Sequence, residues 1–302
     1  MSFAAPSFLS VTNFLNLLIQ STILCTLSIG VTFVIITGGI DLSVGSVLAF
    51  SSTVGLGLIM KNGMPVVVGI IVMLLIGAMF GLFNGLLITK FELPPMIITL
   101  ATMGIARGLV LIYTNSANIA PVPRLFQIVA YERFLFIPII VWIMVVLVVI
   151  AGIVLSRTVY GRSVYATGGN KTAARLAGIK TDSIVTTAYI ISGVLAAIAG
   201  FLLAARLESA GPNAGIGSEM NVIAAVVIGG GSLFGGRGTI PGTVMGVVLI
   251  TLVSNAINLL GVPPAWDQLV KGSVIILASI LDAYRVKYMS DTREHKKAVK
   301  KG

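Results

Sequence analysis

Two stretches, Leu135–Leu155 and Ser183–Leu207, contain no charged side chain apart from Arg206 near one end. As helix, rising about 1.5 Å per residue, each is long enough to cross ~30 Å of hydrocarbon. The rest of the composition agrees. Charged residues make up 10% of the chain and apolar residues 57%, with a mean hydropathy of +1.05. A soluble domain carries roughly a quarter charged residues. The chain therefore reads as an all-α, polytopic bundle of membrane-spanning helices forming one transmembrane domain over residues 1–302.

Hydropathy divides it into nine candidate spans, at 14–37, 44–60, 65–89, 93–113, 137–156, 183–207, 219–234, 241–260 and 266–284. The span at 219–234 is short and ends in glycines, so a broken or re-entrant segment is expected there. The longest connections are 114–136 and 157–182. No separate soluble domain fits between the spans.

Basic loop residues mark the cytoplasmic side of a membrane protein. Loop 157–182 carries Arg157, Arg162, Lys171, Arg175 and Lys180 against Asp182 alone, and the tail at 285–302 is rich in lysine. Placing both inside and propagating the alternation puts Lys90 and Arg237 inside as well. Only Lys61, Arg124 and Arg133 are then basic loop residues outside. Lys171 and Lys297 should face the cytoplasm, and Asn62 and Ser116 the opposite side. The same alternation leaves the N-terminus outside with no basic start or cleavage pattern. A further span ahead of Phe14 is the expected explanation.

Several chemistries are disfavoured by residue content. The single Cys25 lies in an apolar run and the single His295 in the lysine-rich tail, so no metal cluster or histidine base is expected. The net charge of +10 sits largely in loops and tail, with no nucleic-acid motif beside it. Gly231–Gly238 (GSLFGGRG) imitates a phosphate-binding loop, but Arg237 stands where lysine is required and Gly238 where a hydroxyl should bind Mg²⁺. It also follows an apolar run rather than a strand. Any ATP and Mg would act on partner subunits, and this chain should bind no cofactor.

Glycines recur every four residues at Gly77, Gly81 and Gly85, and at Gly238, Gly242 and Gly246, and Gly104 pairs with Gly108. Small residues on one face let helix backbones approach closely in lipid. Tight packing or the lining of a moving pathway would both use such faces. Gly38, Gly39, Asp41, Ser43 and Gly45 interrupt another apolar stretch. Asp41 or Ser43 can cap the helix that follows, and an intramembrane carboxylate is also a candidate proton or cation site. Arg107 lies close enough to the end of its span to snorkel, to pair structurally, or to meet a polar solute. Asn84, Asn255 and Asn258 can bond between helices or to substrate hydroxyls.

The 160–179 segment is the most informative outside the spans. Asn170 can cap a helix over about 171–177 and Gly178 can end it, giving a short, basic, rigid element suited to docking another protein. Four motifs then resemble the ribose-type sugar permeases of ATP-binding-cassette importers. They are Gly38–Ser46 (GGIDLSVGS), Gly161–Ile179 (GRSVYATGGNKTAARLAGI), Gly215–Gly230 (GIGSEMNVIAAVVIGG) and Gly235–Gly242 (GGRGTIPG). The resemblance runs from about Phe8 to Asp282. It implies about ten helical spans in a bacterial inner membrane, working as a pair with a second copy or a sister permease, among membrane lipid. It further implies two cytoplasmic ATP-binding subunits and an extracytoplasmic sugar-binding protein, with no nucleic acid. Coupling to the ATPase falls, by the same resemblance, on Gly169, Asn170, Ala174, Arg175 and Gly178. The competing readings are a permease for branched-chain amino acids or nucleosides, and an ion-coupled transporter using Asp41.

Overall fold

The computed structural model describes residues 6–263 and 265–274, together with Ile276, Leu277, Ile280 and Tyr284. A 3-10 turn at Pro6–Leu9 leads into α1 (Val11–Ile36), where Ser10 Oγ accepts the Asn13 amide at 3.1 Å. α2 (Val44–Met60), α3 (Val66–Lys90) and α4 (Pro95–Thr114) follow. A short amphipathic α5 (Arg124–Tyr131) and an antiparallel hairpin of β1 (Arg133–Phe134) and β2 (Ile137–Pro138) precede α6 (Ile139–Arg157). Then come α7 (Val159–Gly169), α8 (Lys171–Leu176), α9 (Thr181–Leu207), α10 (Ser218–Ile228) and α11 (Ile240–Leu259). Residues 265–274 are helical as well.

Among the described residues six helices, α1, α3, α4, α6, α9 and α11, are long and apolar enough to span a membrane, and α2 and α10 are shorter apolar helices. These eight match eight of the nine expected spans. The ninth falls partly outside the described residues, and the basic tail, with His295 and Lys297, lies wholly outside them. Hydropathy did not anticipate α5, α7 or the hairpin, because amphipathic and two-residue elements carry no long apolar run.

Lipid tails are as apolar as leucine, so burying hydrocarbon does not itself drive these helices together; close packing and polar contacts do. α3 and α9 run antiparallel, and a Cβ at Gly77, Gly81 or Gly85 would strike the backbone of Gly193, Tyr189 or Thr186 in turn. That face is a packing seam. On α11, Gly242 and Gly246 meet Gly229 and Ala225 of α10 in the same way, whereas Gly238 lies ahead of the helix. Gly104 and Gly108 correct the expectation: nothing lies near either among the described residues, so they form no seam there. α1 and α9 are the enclosed centre, with 83% and 67% of their apolar windows buried against 22% for α3, α4 and α6. Those outer helices turn side chains such as Ile71, Leu75, Val149 and Ile153 outward, as a lipid-facing surface requires.

The segment expected to be broken is broken. α10 has 11 residues, about 16 Å of helix, or half the hydrocarbon thickness. It starts after Gly217, at φ +76°, and ends at Gly229, with Gly230 at φ +89°. Its N-terminal approach, residues 208–217, meets the first turn of α2, just past the other interruption at residues 37–43: the Gly45 and Gly215 backbones touch without room for a Cβ on either. Non-helical backbone survives at membrane depth only where protein buries it or where it lines a wet cavity. Gly39 and Asp41–Ser43 are buried by protein, and residues 213–216 line a recess with polar walls.

Candidate functional site

Asp41 is fully buried at the break between α1 and α2. Its Oδ1 accepts from the Ser43 amide at 3.0 Å and from Ser43 Oγ at 2.6 Å, and its Oδ2 accepts from Ser192 Oγ of α9 at 2.8 Å. Asn84 of α3 donates to Ser43 Oγ at 3.1 Å, and Thr102 of α4 donates to Asn84 Oδ1 at 2.6 Å. Ser43 and Ser192 thus donate directly to the carboxylate, and Asn84 and Thr102 extend the network to α3 and α4. The simple helix-cap reading is corrected. Ser43 occupies the cap position of α2 but its side chain accepts no amide of the first turn, and Asp41 accepts from Ser43 rather than from the first turn of α2. Gly39 sits beneath the Tyr189 hydroxyl, which donates to the Ile40 carbonyl at 3.3 Å. Asn84 is therefore a member of this network and does not line an open path.

Arg107 is half-buried in α4, and its Nη1 donates to the carbonyls of Pro212 and Ala214, the latter at 2.8 Å. Of its three possible uses, structural pairing is what the geometry shows. Reciprocal backbone bonds between Ile119 and Ala210 hold the other end of the same strap. Asn255 is likewise structural, exchanging side-chain bonds with Asn13 of α1 at 2.9 and 3.2 Å.

Asn258 alone of the four candidates reaches a polar recess. This cavity, of about 410 Å³, lies between α1, α9, α10, α11 and the helical residues beyond 264. The strap 213–216 forms one wall. Its polar lining includes Gln20 of α1, Arg206 of α9, Asn221 of α10, and Ser254 and Asn258 of α11. Lys271 also lines it, its charge held by Asp267 at 2.6 Å. Amides and hydroxyls that both donate and accept suit a polyhydroxylated solute. A larger recess of 600 Å³, bounded by Phe8, Phe14, Leu17 and Leu252, is almost wholly hydrocarbon and offers such a solute nothing. Sequence reading passed over Gln20, Asn221 and Ser254. For Ser254 the available signal was its spacing, i+3 from Thr251 and i−4 from Asn258 on one face of α11; Asn255 shares that arc, and only its bond to Asn13 sets it apart.

At the opposite end of the bundle, α7 and α8 pack near the start of α9. Asn170 Oδ1 accepts the Ala173 amide at 2.8 Å, so the expected cap is present. Gly178, at φ +83°, donates to the Arg175 carbonyl and Ile179 donates to that of Ala174, closing the helix. Ala174 is buried beneath it. Arg175 does not project freely: its Nη2 meets both Asp182 oxygens, at 3.1 and 3.2 Å, and Lys171 joins the same carboxylate at 3.2 Å. The side chain that does stand out is Leu176, 85% exposed. Gly169 ends α7, and it is Gly168 next to it that abuts the Ile36 carbonyl. The GSLFGGRG stretch packs here, Gly236 N–H donating to Ile36 at 2.8 Å and Gly238 accepting from Tyr165 at 2.6 Å. It is a helix connection and does not follow a strand.

Stacked apolar helices, a short α10 whose approach packs against α2, and a polar recess beside that approach define a multi-pass membrane transport protein of the bacterial inner membrane. The chain belongs to the family described as the permease component of the branched-chain amino acid transport system, which matches residues 13–279. It is 47% identical over 284 residues to the ribose import permease protein of Bacillus subtilis, covering 93% of this chain and 88% of that one. The L-arabinose ABC transporter permease protein of Azospirillum brasilense is 36% identical over 285 residues, 94% of this chain and 84% of its own. The autoinducer 2 import system permease protein of Photorhabdus luminescens is 34% identical over 263 residues, 87% and 79% respectively. No solved structure matches the chain. The resemblance to ribose-type permeases of ATP-binding-cassette importers is borne out.

Proposed function

We propose that this chain is the permease subunit of an importer that admits a pentose-type sugar, driven by separate ATP-binding subunits. The observation that carries the reading is the recess of amide and hydroxyl side chains beside the start of α10. Relatives named for ribose, arabinose and autoinducer 2 support a sugar over the amino acids of the family description. Lys90, Arg157, Lys171, Arg175 and Arg237 fall at the α8 end of the bundle, which makes that end cytoplasmic by the positive-inside rule. The recess then opens outward, toward an extracytoplasmic binding protein that supplies the sugar.

In this scheme the ATP-binding subunits, carrying ATP and Mg, dock on α7 and α8. The cap at Asn170 and the stop at Gly178 keep α8 rigid, so closure of the ATPase pair is passed to α9 through Asp182. A second copy or a sister permease completes the path. The recess alternates between outward and inward access as the strap 208–217 shifts against the first turn of α2.

Co-reconstitution of the permease with the neighbouring ATPase and binding protein tests this. Ribose uptake into proteoliposomes should require internal ATP and survive a protonophore, and the permease alone should hydrolyse no ATP. Accumulation by the permease alone, abolished by a protonophore, would refute the reading in favour of an ion-coupled transporter.

A further inference from the structure

Two cationic side chains line the outward recess, and they differ in a way that bears on what the recess binds. Lys271 is neutralised at 2.6 Å by Asp267, one helical turn away. Arg206, half-buried in the last turn of α9, has no carboxylate partner among the described residues. Its backbone is held, since the Tyr131 hydroxyl donates to the Arg206 carbonyl at 3.3 Å. The nearest carboxylate in sequence, Glu208, lies beyond the helix end at φ +52° and forms no ion pair with Arg206. A guanidinium in this position, partly stripped of water, still offers a planar fork of donors that nothing else in the described chain takes up.

Resting on the importer reading above, we propose that Arg206 is the substrate-contacting residue that reads adjacent hydroxyls of a neutral sugar in the outward recess. Asn258, Asn221 and Gln20 supply the complementary amide acceptors and donors around the same space. Neutral hydroxyls suit a transport path better than a carboxylate or phosphate. An anion paired with Arg206 in this half-dry setting would be held by a charge-assisted fork and released slowly, whereas hydroxyls accept the same donors weakly enough to leave. Snorkelling of Arg206 toward the membrane interface is the competing role, and it would need only the charge and the stem.

The test uses the assembled importer, with the binding protein kept saturated by each sugar so that its own affinity drops out. Uptake of ribose is compared with that of each monodeoxy-pentose, in wild type, Arg206→Met and Arg206→Lys. Arg206→Met is expected to slow ribose uptake about 10- to 100-fold, as loss of a charged hydrogen-bonding group at a contact would. In wild type, the deoxy-sugar lacking a contacted hydroxyl should be taken up more slowly than ribose, and in Arg206→Met that penalty should shrink toward none. Arg206→Lys keeps charge and stem but not the fork, so it should lose the same discrimination even where Arg206→Met fails to assemble. Unchanged discrimination across the whole deoxy series, or faster uptake of a sugar acid than of ribose, would overturn the role of Arg206. Failure of wild type to import any sugar would instead sink the importer reading itself.

Discussion

Replacing Asp41 with asparagine should weaken the bundle measurably and uncouple two helices that the carboxylate now joins. The carboxylate accepts from the Ser43 amide, Ser43 Oγ and Ser192 Oγ. Hydrogen bonds to a charged group are worth about 1.5–3 kcal/mol and neutral ones about 0.5–1.5. Asparagine can keep the two Ser43 donors as neutral bonds, but its amide then faces Ser192 Oγ, which must turn from donor to acceptor. The gross loss is about 3 kcal/mol over the three bonds. Asparagine also removes the cost of burying a charge, so a net destabilisation of about 1–3 kcal/mol is expected.

The pairwise coupling is a sharper quantity. Interhelical polar pairs in bilayers couple by about 0.6 kcal/mol on average and about 1.7 at most. A buried carboxylate with an oriented donor should lie near the upper end, at about 1–1.5 kcal/mol between positions 41 and 192. Unfolding of the purified protein in mixed micelles, for wild type, Asp41→Asn, Ser192→Ala and the double variant, measures it. Additivity within about 0.5 kcal/mol would refute the argument. Abolished uptake with unaltered stability would mark Asp41 as a proton site instead.

Gly81→Leu should separate α3 from α9, because its Cβ would strike the Tyr189 carbonyl and the Ile190 backbone. A loss of about 1–3 kcal/mol or more is expected in the same unfolding assay, while Gly104→Leu, in open space, should change stability by less than about 0.5 kcal/mol. At the α8 end, Gly178→Val places a β-branched side chain at φ +83° and should distort the helix stop at a cost of about 1–2 kcal/mol. It should lower sugar-stimulated ATP hydrolysis by the assembled importer while leaving membrane insertion intact. Asp182→Asn removes only exposed ion pairs, so it should cost less than about 1 kcal/mol of stability, yet it should lower the same sugar-stimulated hydrolysis because it breaks the link from α8 to α9.

How much of this was legible in one dimension depended on whether the deciding interaction was local. Length and hydropathy alone located the spans at α1, α3, α4, α6, α9 and α11, since crossing hydrocarbon demands a long apolar helix whatever its neighbours are. The α8 cap and stop were equally local: Asn170 reaches an amide three residues on, and Gly178 adopts a conformation that glycine tolerates best. The brevity of α10 was visible in its flanking glycines. The Gly77–Gly85 face could be read as small, but so could Gly104 and Gly108, and only the arrangement of helices in space decided which face met a neighbour.

The polar side chains within the spans show the other limit. Asn84, Arg107, Asn255 and Asn258 look alike in sequence, each a polar group in an apolar run. Tertiary packing sent the first to the Asp41 network, the second to the strap carbonyls, the third to Asn13 and the fourth to the recess. It also turned Arg175 back onto Asp182, leaving Leu176 outermost. The sequence by itself determined that these groups must find partners, because an unpaired donor or acceptor in hydrocarbon costs several kcal/mol or so. Which partner each one found depended on residues up to 242 positions away, brought within hydrogen-bonding range only by the folded bundle.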